Sequence, residues 1–310
     1  MPRGKASLLR RTGGFSLIEI TVVLAIVGII GSTVGLLLVR QQRFYRGTSE
    51  LIATRQSVRD AIEVLTTDIR GMSVADTARL LADSAMEFFS TVGSSVVCQQ
   101  LAPSVVALPP ASALTSALTS FATQPDTGDL AVFYVDSAPP SSRWYRYRIV
   151  AFNARSISTT CPASSGFASD ADITSGAKAY AVSLDVPLDG AVRAGSPVRF
   201  VRRGRYSLYR ASDGDWYLGY RRCNAIGASV CGAIQPLSGP YRPYSPDVNQ
   251  SGLALQYFDR VGLDARAAPL SIARVEITAR AASRQSLLVE GRQWTASDSA
   301  HLSVAARNRL

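Results

Sequence analysis

One apolar run near the start of the chain limits what it can become more than any other feature. Phe15 to Val39 reads FSLIEITVVLAIVGIIGSTVGLLLV, with Glu19 as its single charged residue. As a helix the run rises about 37 Å, enough to cross a bilayer with some tilt. Arg3, Lys5, Arg10 and Arg11 precede it, with no acid among them. A basic flank of this kind stays in the cytoplasm, so everything after Val39 is expected to be exported. A secretory signal would have a shorter apolar core and a small-residue cleavage site at its far end. Here the far end reads LLLVRQQRFY, without an A-x-A pattern. A plain membrane anchor fits the length but gives Glu19 no purpose. At the centre of a membrane helix a carboxylate costs about 2.5–3.5 kcal/mol, and a position near the start lowers that cost without removing it.

The residues GGFSLIEI, Gly13 to Ile20, closely resemble the class III signal of type IV prepilins and type II secretion pseudopilins. In that family a membrane-embedded prepilin peptidase cuts after a glycine on the cytoplasmic side and methylates the new N-terminus. The resemblance implies cleavage between Gly14 and Phe15, N-methylation of Phe15, and an assembly role for Glu19. In the family that glutamate pairs with the N-terminal amine of a neighbouring subunit. Such a pair tolerates a dry environment only when both partners are present. Gly28, Gly31 and Gly35 also lie in the run, and Gly31–Gly35 has the GxxxG spacing of close helix packing. Glycine is also simply common in membrane helices.

The helix is expected to continue beyond the membrane. Leu51, Val58, Ile62, Leu65 and Ile69 share one helical face, while Arg55, Arg59, Asp60, Glu63 and Asp68 fall largely on the others. Gly71 is a plausible stop, and a second short helix is expected from Val74 to Ala82. Beyond it, β-like runs are separated by Gly, Pro, Ser and Asp. They fall at 86–92, 96–101, 130–135, 144–152, 179–186, 198–203, 205–211, 216–222, 253–259 and 272–280. Asp213–Gly214 has the chemistry of a two-residue hairpin turn. Segments 103–128 and 153–178, rich in Ser, Ala, Thr and Pro, read as loops. The fold class is therefore α+β, a long N-terminal helix packed on an antiparallel β-sheet head. The expected divisions are a leader at 1–14, a transmembrane and assembly helix at 15–39, its amphipathic continuation at 40–71 and an exported β-rich domain at 72–310. RDAIEVLTTDIRGMS, RRGRYSLYR, GLALQYFDRVG, IARVEITARAAS and the closing HLSVAARNRL resemble, in order and character, PilW-type minor pilins and J-type minor pseudopilins.

Little else in the sequence carries chemistry. Hydrophobic residues make up 47% and charged residues 18%, as a folded head requires. The net charge of +10 falls to +6 without the leader's four basic residues, too moderate to imply nucleic acid. Cys98, Cys161, Cys223 and Cys231 all follow the apolar run and form no CxxC pair. An even count on the far side of a membrane points to two disulfides, with three pairings open, against four buried thiols. Closing the short Cys223–Cys231 loop would stabilise by roughly 2.5 kcal/mol. His301 is the single histidine, and no HExxH, GxSxG or GxxxxGK[ST] motif occurs. No enzyme, cofactor or metal is expected. Asp247, Asn249, Ser251 and Gly252 resemble the start of a calcium loop, but the twelfth position is Phe258, and a plain loop is the better reading. The stretch Arg199–Arg222 interleaves Arg with aromatic residues. It suits a single-stranded DNA or glycan surface, or, as favoured here, a strand pair with arginines outward.

The sequence thus implies a minor pilin, or alternatively a minor pseudopilin of type II secretion or of DNA uptake. Two readings of other classes stand beside it, an adhesin or DNA-binding tip and a plain anchored protein. The implied partners are the prepilin peptidase, other major and minor pilins and the inner-membrane assembly platform. The implied location is the inner membrane, head periplasmic, and then the filament.

Overall fold

The computed structural model describes residues 16–72, 80–111, 117–135, 143–227, 230–289 and 292–305. One helix, α1 (Leu17–Arg70), leads into a head of β-strands. In chain order these are β1 (Leu80–Leu81), β2 (Ala85–Val96), β3 (Gln99–Ala102), β4 (Val105–Leu108) and β5 (Ser120–Phe121). Next come β6 (Leu130–Val135), β7 (Arg143–Ser156), β8 (Lys178–Leu184), β9 (Pro197–Arg210) and β10 (Trp216–Arg222). The series closes with β11 (Gln235–Tyr241), β12 (Leu253–Phe258), β13 (Arg274–Val289) and β14 (Arg292–Ala305). Two short helices, α2 (Ile157–Thr160) and α3 (Asp170–Thr174), separate β7 from β8. The strands join in a single 14-stranded sheet, antiparallel throughout. The fold is the expected α+β arrangement of a long helix on an antiparallel sheet.

β9 is the spine of the head. On one side it pairs with β2 from Pro197 to Ser207. On the other, β6 pairs with Val198–Val201 and β10 with Gly204–Arg210, so Arg202 and Arg203 sit where the sheet forks. Two cores follow from the fork. In the first, Val58, Ala61, Leu65 and Ile69 of α1 pack on Phe88, Tyr206, Leu255, Val275 and Ile277. In the second, Leu108, Phe133, Ile149, Val182 and Phe200 pack together among β4, β6, β7, β8 and β9, away from the helix. Val96 is the partner of Pro197, so the chain from 97 to 196 departs from the β2–β9 ladder and returns to it at adjacent positions, adding β3 to β8 to the sheet on the way.

Several expectations need correction. Leu80–Leu81 is a strand paired with β2, not the end of a second helix, and 73–79 lie outside the described residues. The runs at 198–203 and 205–211 are one strand, because the aromatic and aliphatic alternation continues through Gly204. Segment 103–128 contains β4 and β5, and 153–178 holds the end of β7 with α2 and α3. The β9–β10 connection is a three-residue loop rather than a two-residue one. Ala211 N donates to Asp215 O (2.9 Å), Gly214 N donates to Ala211 O (3.0 Å), and Gly214 takes φ +90°. Such longer loops place glycine at the left-handed position that closes the turn.

Candidate functional site

Gly14 and Phe15 lie outside the described residues. The helix they would precede is capped by Ser16, whose hydroxyl accepts from Glu19 N at 3.2 Å. The S-x-x-E spacing of Ser16 and Glu19 is the sequence sign of such a cap, and the residue-by-residue reading missed it. A carboxylate in the first helical turn also suits the positive end of the helix dipole. Glu19 is therefore compatible with the helix even without a partner charge.

The helix divides sharply by burial. Ser16 to Arg46 are exposed without exception, including Leu17 at 84% and Ile29 at 68%. By length and composition this helix can cross a membrane. Nothing approaches Gly28, Gly31 or Gly35 within 4 Å. Arg40, Arg43 and Arg46 follow the apolar run directly, so positive charge flanks it on both sides.

From Thr54 onward the helix is locked to the head. Thr54, Ser57, Ala61, Leu65 and Ile69 are buried at spacings of three and four, with Val58 and Thr66 buried beside them, and the small residues come first. Of the expected stripe, Val58, Leu65 and Ile69 are buried, while Leu51 and Ile62 are half-buried. Hydrogen bonds fasten both ends of this joint. Ser57 Oγ donates to Gly239 O (2.7 Å), and Tyr241 Oη donates to Ser57 O (2.5 Å). Near the helix end, Tyr206 Oη donates to Asp68 Oδ2.

Burial pushes the Asp68 carboxyl above its usual range, while the Tyr206 hydrogen bond and the Arg202 charge act in the other direction. Asp68 belongs to the head, far beyond the apolar run. A carboxyl with a raised folded-state pKa contributes stability that is complete below its unfolded value and is lost as pH rises through the folded value. Asp68→Asn removes this dependence. The variant is expected to gain stability relative to the parent as pH rises from about 4, the ordinary carboxylate value, towards neutrality, read from denaturation midpoints of the full chain. A constant difference across that range would refute the assignment.

The arginines of Arg199–Arg222 do not simply face solvent. Arg203 is fully buried, and its Nη2 lies 2.5 Å from Glu87 Oε1, which is also fully buried. Arg205 Nη2 reaches Glu87 Oε2 at 2.6 Å. The neighbouring Arg202, turned to the opposite face, makes a bidentate pair with Asp129, and Arg222 bridges Asp129 and Asp126. The expected strand pair is present as β9 and β10, but Arg203 points inward, and Arg202, Arg203, Arg205 and Arg222 are engaged by carboxylates. The acids that bind them, Glu87, Asp126 and Asp129, come from distant segments that alternation could not reveal.

Cys98 is bonded to Cys161 and Cys223 to Cys231, so no free cysteine remains. The Ser165 hydroxyl donates to the Cys98 sulfur at 3.2 Å. The Cys223–Cys231 loop lies over the Glu87–Arg203 pair, with Arg203 Nη1 donating to Asn224 O at 2.9 Å. No protein-family model matches the chain, and no curated protein or solved structure matches it.

Proposed function

We propose that this chain is a minor subunit of a type IV filament, a minor pilin or the related pseudopilin. The observation that carries the reading is the division of one unbroken helix. Its first half presents an apolar surface all round, and its second half is bolted to a folded head. A helix apolar all round calls for a non-aqueous setting, either lipid or other apolar helices. Glu19, the single charge in that surface, is then the natural partner of a neighbouring subunit's freed N-terminal amine. The mechanism is assembly rather than catalysis. The leader holds the chain in the inner membrane, prepilin peptidase frees the Phe15 amine, and Glu19 brings the stem into register. The periplasmic head then meets other pilins and the assembly platform.

The test compares the intact mass and N-terminus of the chain made with and without prepilin peptidase. With the peptidase the product begins at N-methyl-Phe15, and Gly14→Val abolishes the cut. Glu19→Gln is expected to be cut normally yet lost from the sheared filament fraction. A chain that keeps residues 1–14 under every condition would make this an ordinary anchored protein.

A further inference from the structure

Two sequence features have no place in the stem: the Asp247–Gly252 segment and His301. The fold brings them together. One face of β12, β13 and β14 packs on α1 through Leu255, Val275, Ile277 and Val304. The opposite face is polar where Ala254, Thr278 and His301 stand in cross-strand register, with Arg280 beside Ser299. The segment after β11 folds over this face. Arg242 N donates to Arg280 O (2.9 Å), and Arg280 N donates to Gly252 O (2.7 Å). A β-carbon on Gly252 would stand 2.0 Å from Arg242 O, so only glycine permits this approach. Between segment and sheet runs a groove of about 410 Å³, lined by Asn249, Gln256, Thr278, Arg280, Ser299 and His301.

The Asp247 side chain of the calcium-like pattern is engaged within its own segment. Asp247 accepts from Asn249 N (2.9 Å) and Gln250 Nε2 (3.1 Å). The carbonyls of Val248 and Ser251 accept from Arg280 Nη1 at 2.8 and 2.9 Å. A guanidinium thus holds the loop in the manner of an ion. Arg148, Arg202, Arg203, Arg205, Arg222, Arg266 and Arg274 each have a carboxylate within ion-pair distance. Among the described residues Arg280 has none, as holds for exposed arginines such as Arg155 and Arg193, but Arg280 is half-buried, and Arg242 adds a second positive charge beside it. Burial and Arg242 together hold the Arg280 guanidinium below its ordinary value, with Asp247 acting the other way at longer range. A half-buried cation with acceptors on one side and a polar groove on the other is suited to an anion.

We propose that this groove binds an oxyanion, a carboxylate or phosphate group, with Arg280 as its charge partner. Ser299 and Asn249 supply neutral donors from the two walls. The Thr278 hydroxyl lies 3.0 Å from His301 Nδ1. With a proton on Nδ1, His301 donates to Thr278 Oγ1 and leaves that hydroxyl's proton for the anion.

His301 is also the reporter, because a single histidine gives a single imidazole signal. The full chain in detergent micelles, labelled at histidine, is titrated at fixed ionic strength with inorganic phosphate and separately with glucuronate. At least one of them is expected to give a saturable shift with a Kd of about 1 mM or tighter. Saturation by phosphate alone identifies a small free anion, and by glucuronate alone a sugar acid; both support the site. Ser299→Leu fills the groove without removing a bond that holds the loop, and Arg280→Gln removes the charge. Both are expected to abolish saturation, with unfolding midpoints reporting that each variant is folded. A linear drift with both ligands, or equal saturation in Ser299→Leu, would overturn the proposal.

Discussion

Glu87→Ala is expected to destabilise the head by about 3–5 kcal/mol. The size follows from what remains behind. Arg203 is fully buried on β9, and Arg205 is only partly exposed; Glu87 is the carboxylate within ion-pair reach of both. Truncating it leaves a guanidinium without its counter-charge where water cannot reach. Glu87→Gln keeps the shape and an acceptor, so its loss is expected to be smaller. The surface pair Arg148–Asp185, 3.7 Å apart with Arg148 half-exposed, supplies the contrast. Arg148→Ala there is expected to change stability by no more than about 1 kcal/mol. Urea unfolding of the full chain in detergent, followed by tryptophan fluorescence, gives all three values. If Glu87→Ala and Arg148→Ala shift the midpoint equally, the buried cluster does not hold the sheet fork together. The same geometry bears on any DNA-binding test made by removing Arg202, Arg203 and Arg205. Loss of binding would then report a damaged fold rather than a lost contact.

The second large effect concerns the two disulfides, which close loops of very different length. Cys98 and Cys161 are 63 residues apart in sequence, and Cys223 and Cys231 are 8 apart. In the loop-entropy model the first stabilises by about 4 kcal/mol and the second by about 2.5 kcal/mol. Cys98→Ala with Cys161→Ala is therefore expected to lower the unfolding midpoint further than Cys223→Ala with Cys231→Ala. The damage should also be local. Cys98 and Cys161 pack with Ala107, Ile157 and Ala179 beyond the sheet fork, away from the stem. Limited proteolysis of the first variant should open the chain between 97 and 196 while α1 stays on its sheet. Equal midpoints for the two double variants would remove the loop-length argument.

How much of this was legible in the sequence depended on whether the signal was local. The stem was legible because twenty-three uninterrupted residues after Ser16 carry one charge, and nothing tertiary is needed to read that. β6 and β10 matched their aromatic and β-branched runs to the residue. β11 was missed because Pro236, Gly239 and Pro240 argue against a strand, and its pairing to β10 is irregular. β4 and β5 are too short to stand out from a Ser- and Ala-rich background. The candidate sites divide in the same way. Glu19 stood out locally, as the single charge in an apolar run. The groove did not, since Arg280, Ser299 and His301 meet only through cross-strand register, and the wall opposite them comes from a loop between β11 and β12.

The adjacency of Val96 and Pro197 has a consequence for how such a head can vary. Everything between them begins and ends at one rung of the β2–β9 ladder, yet it is also knitted back into the fork, through β6 along β9 and through Asp126 and Asp129 on Arg202 and Arg222. A change confined to β3, β4 and β8, which pair with neither β2 nor β9, leaves that ladder and its grip on the stem in place, whereas a change to β5, β6 or the Asp126–Asp129 turn reaches the fork itself.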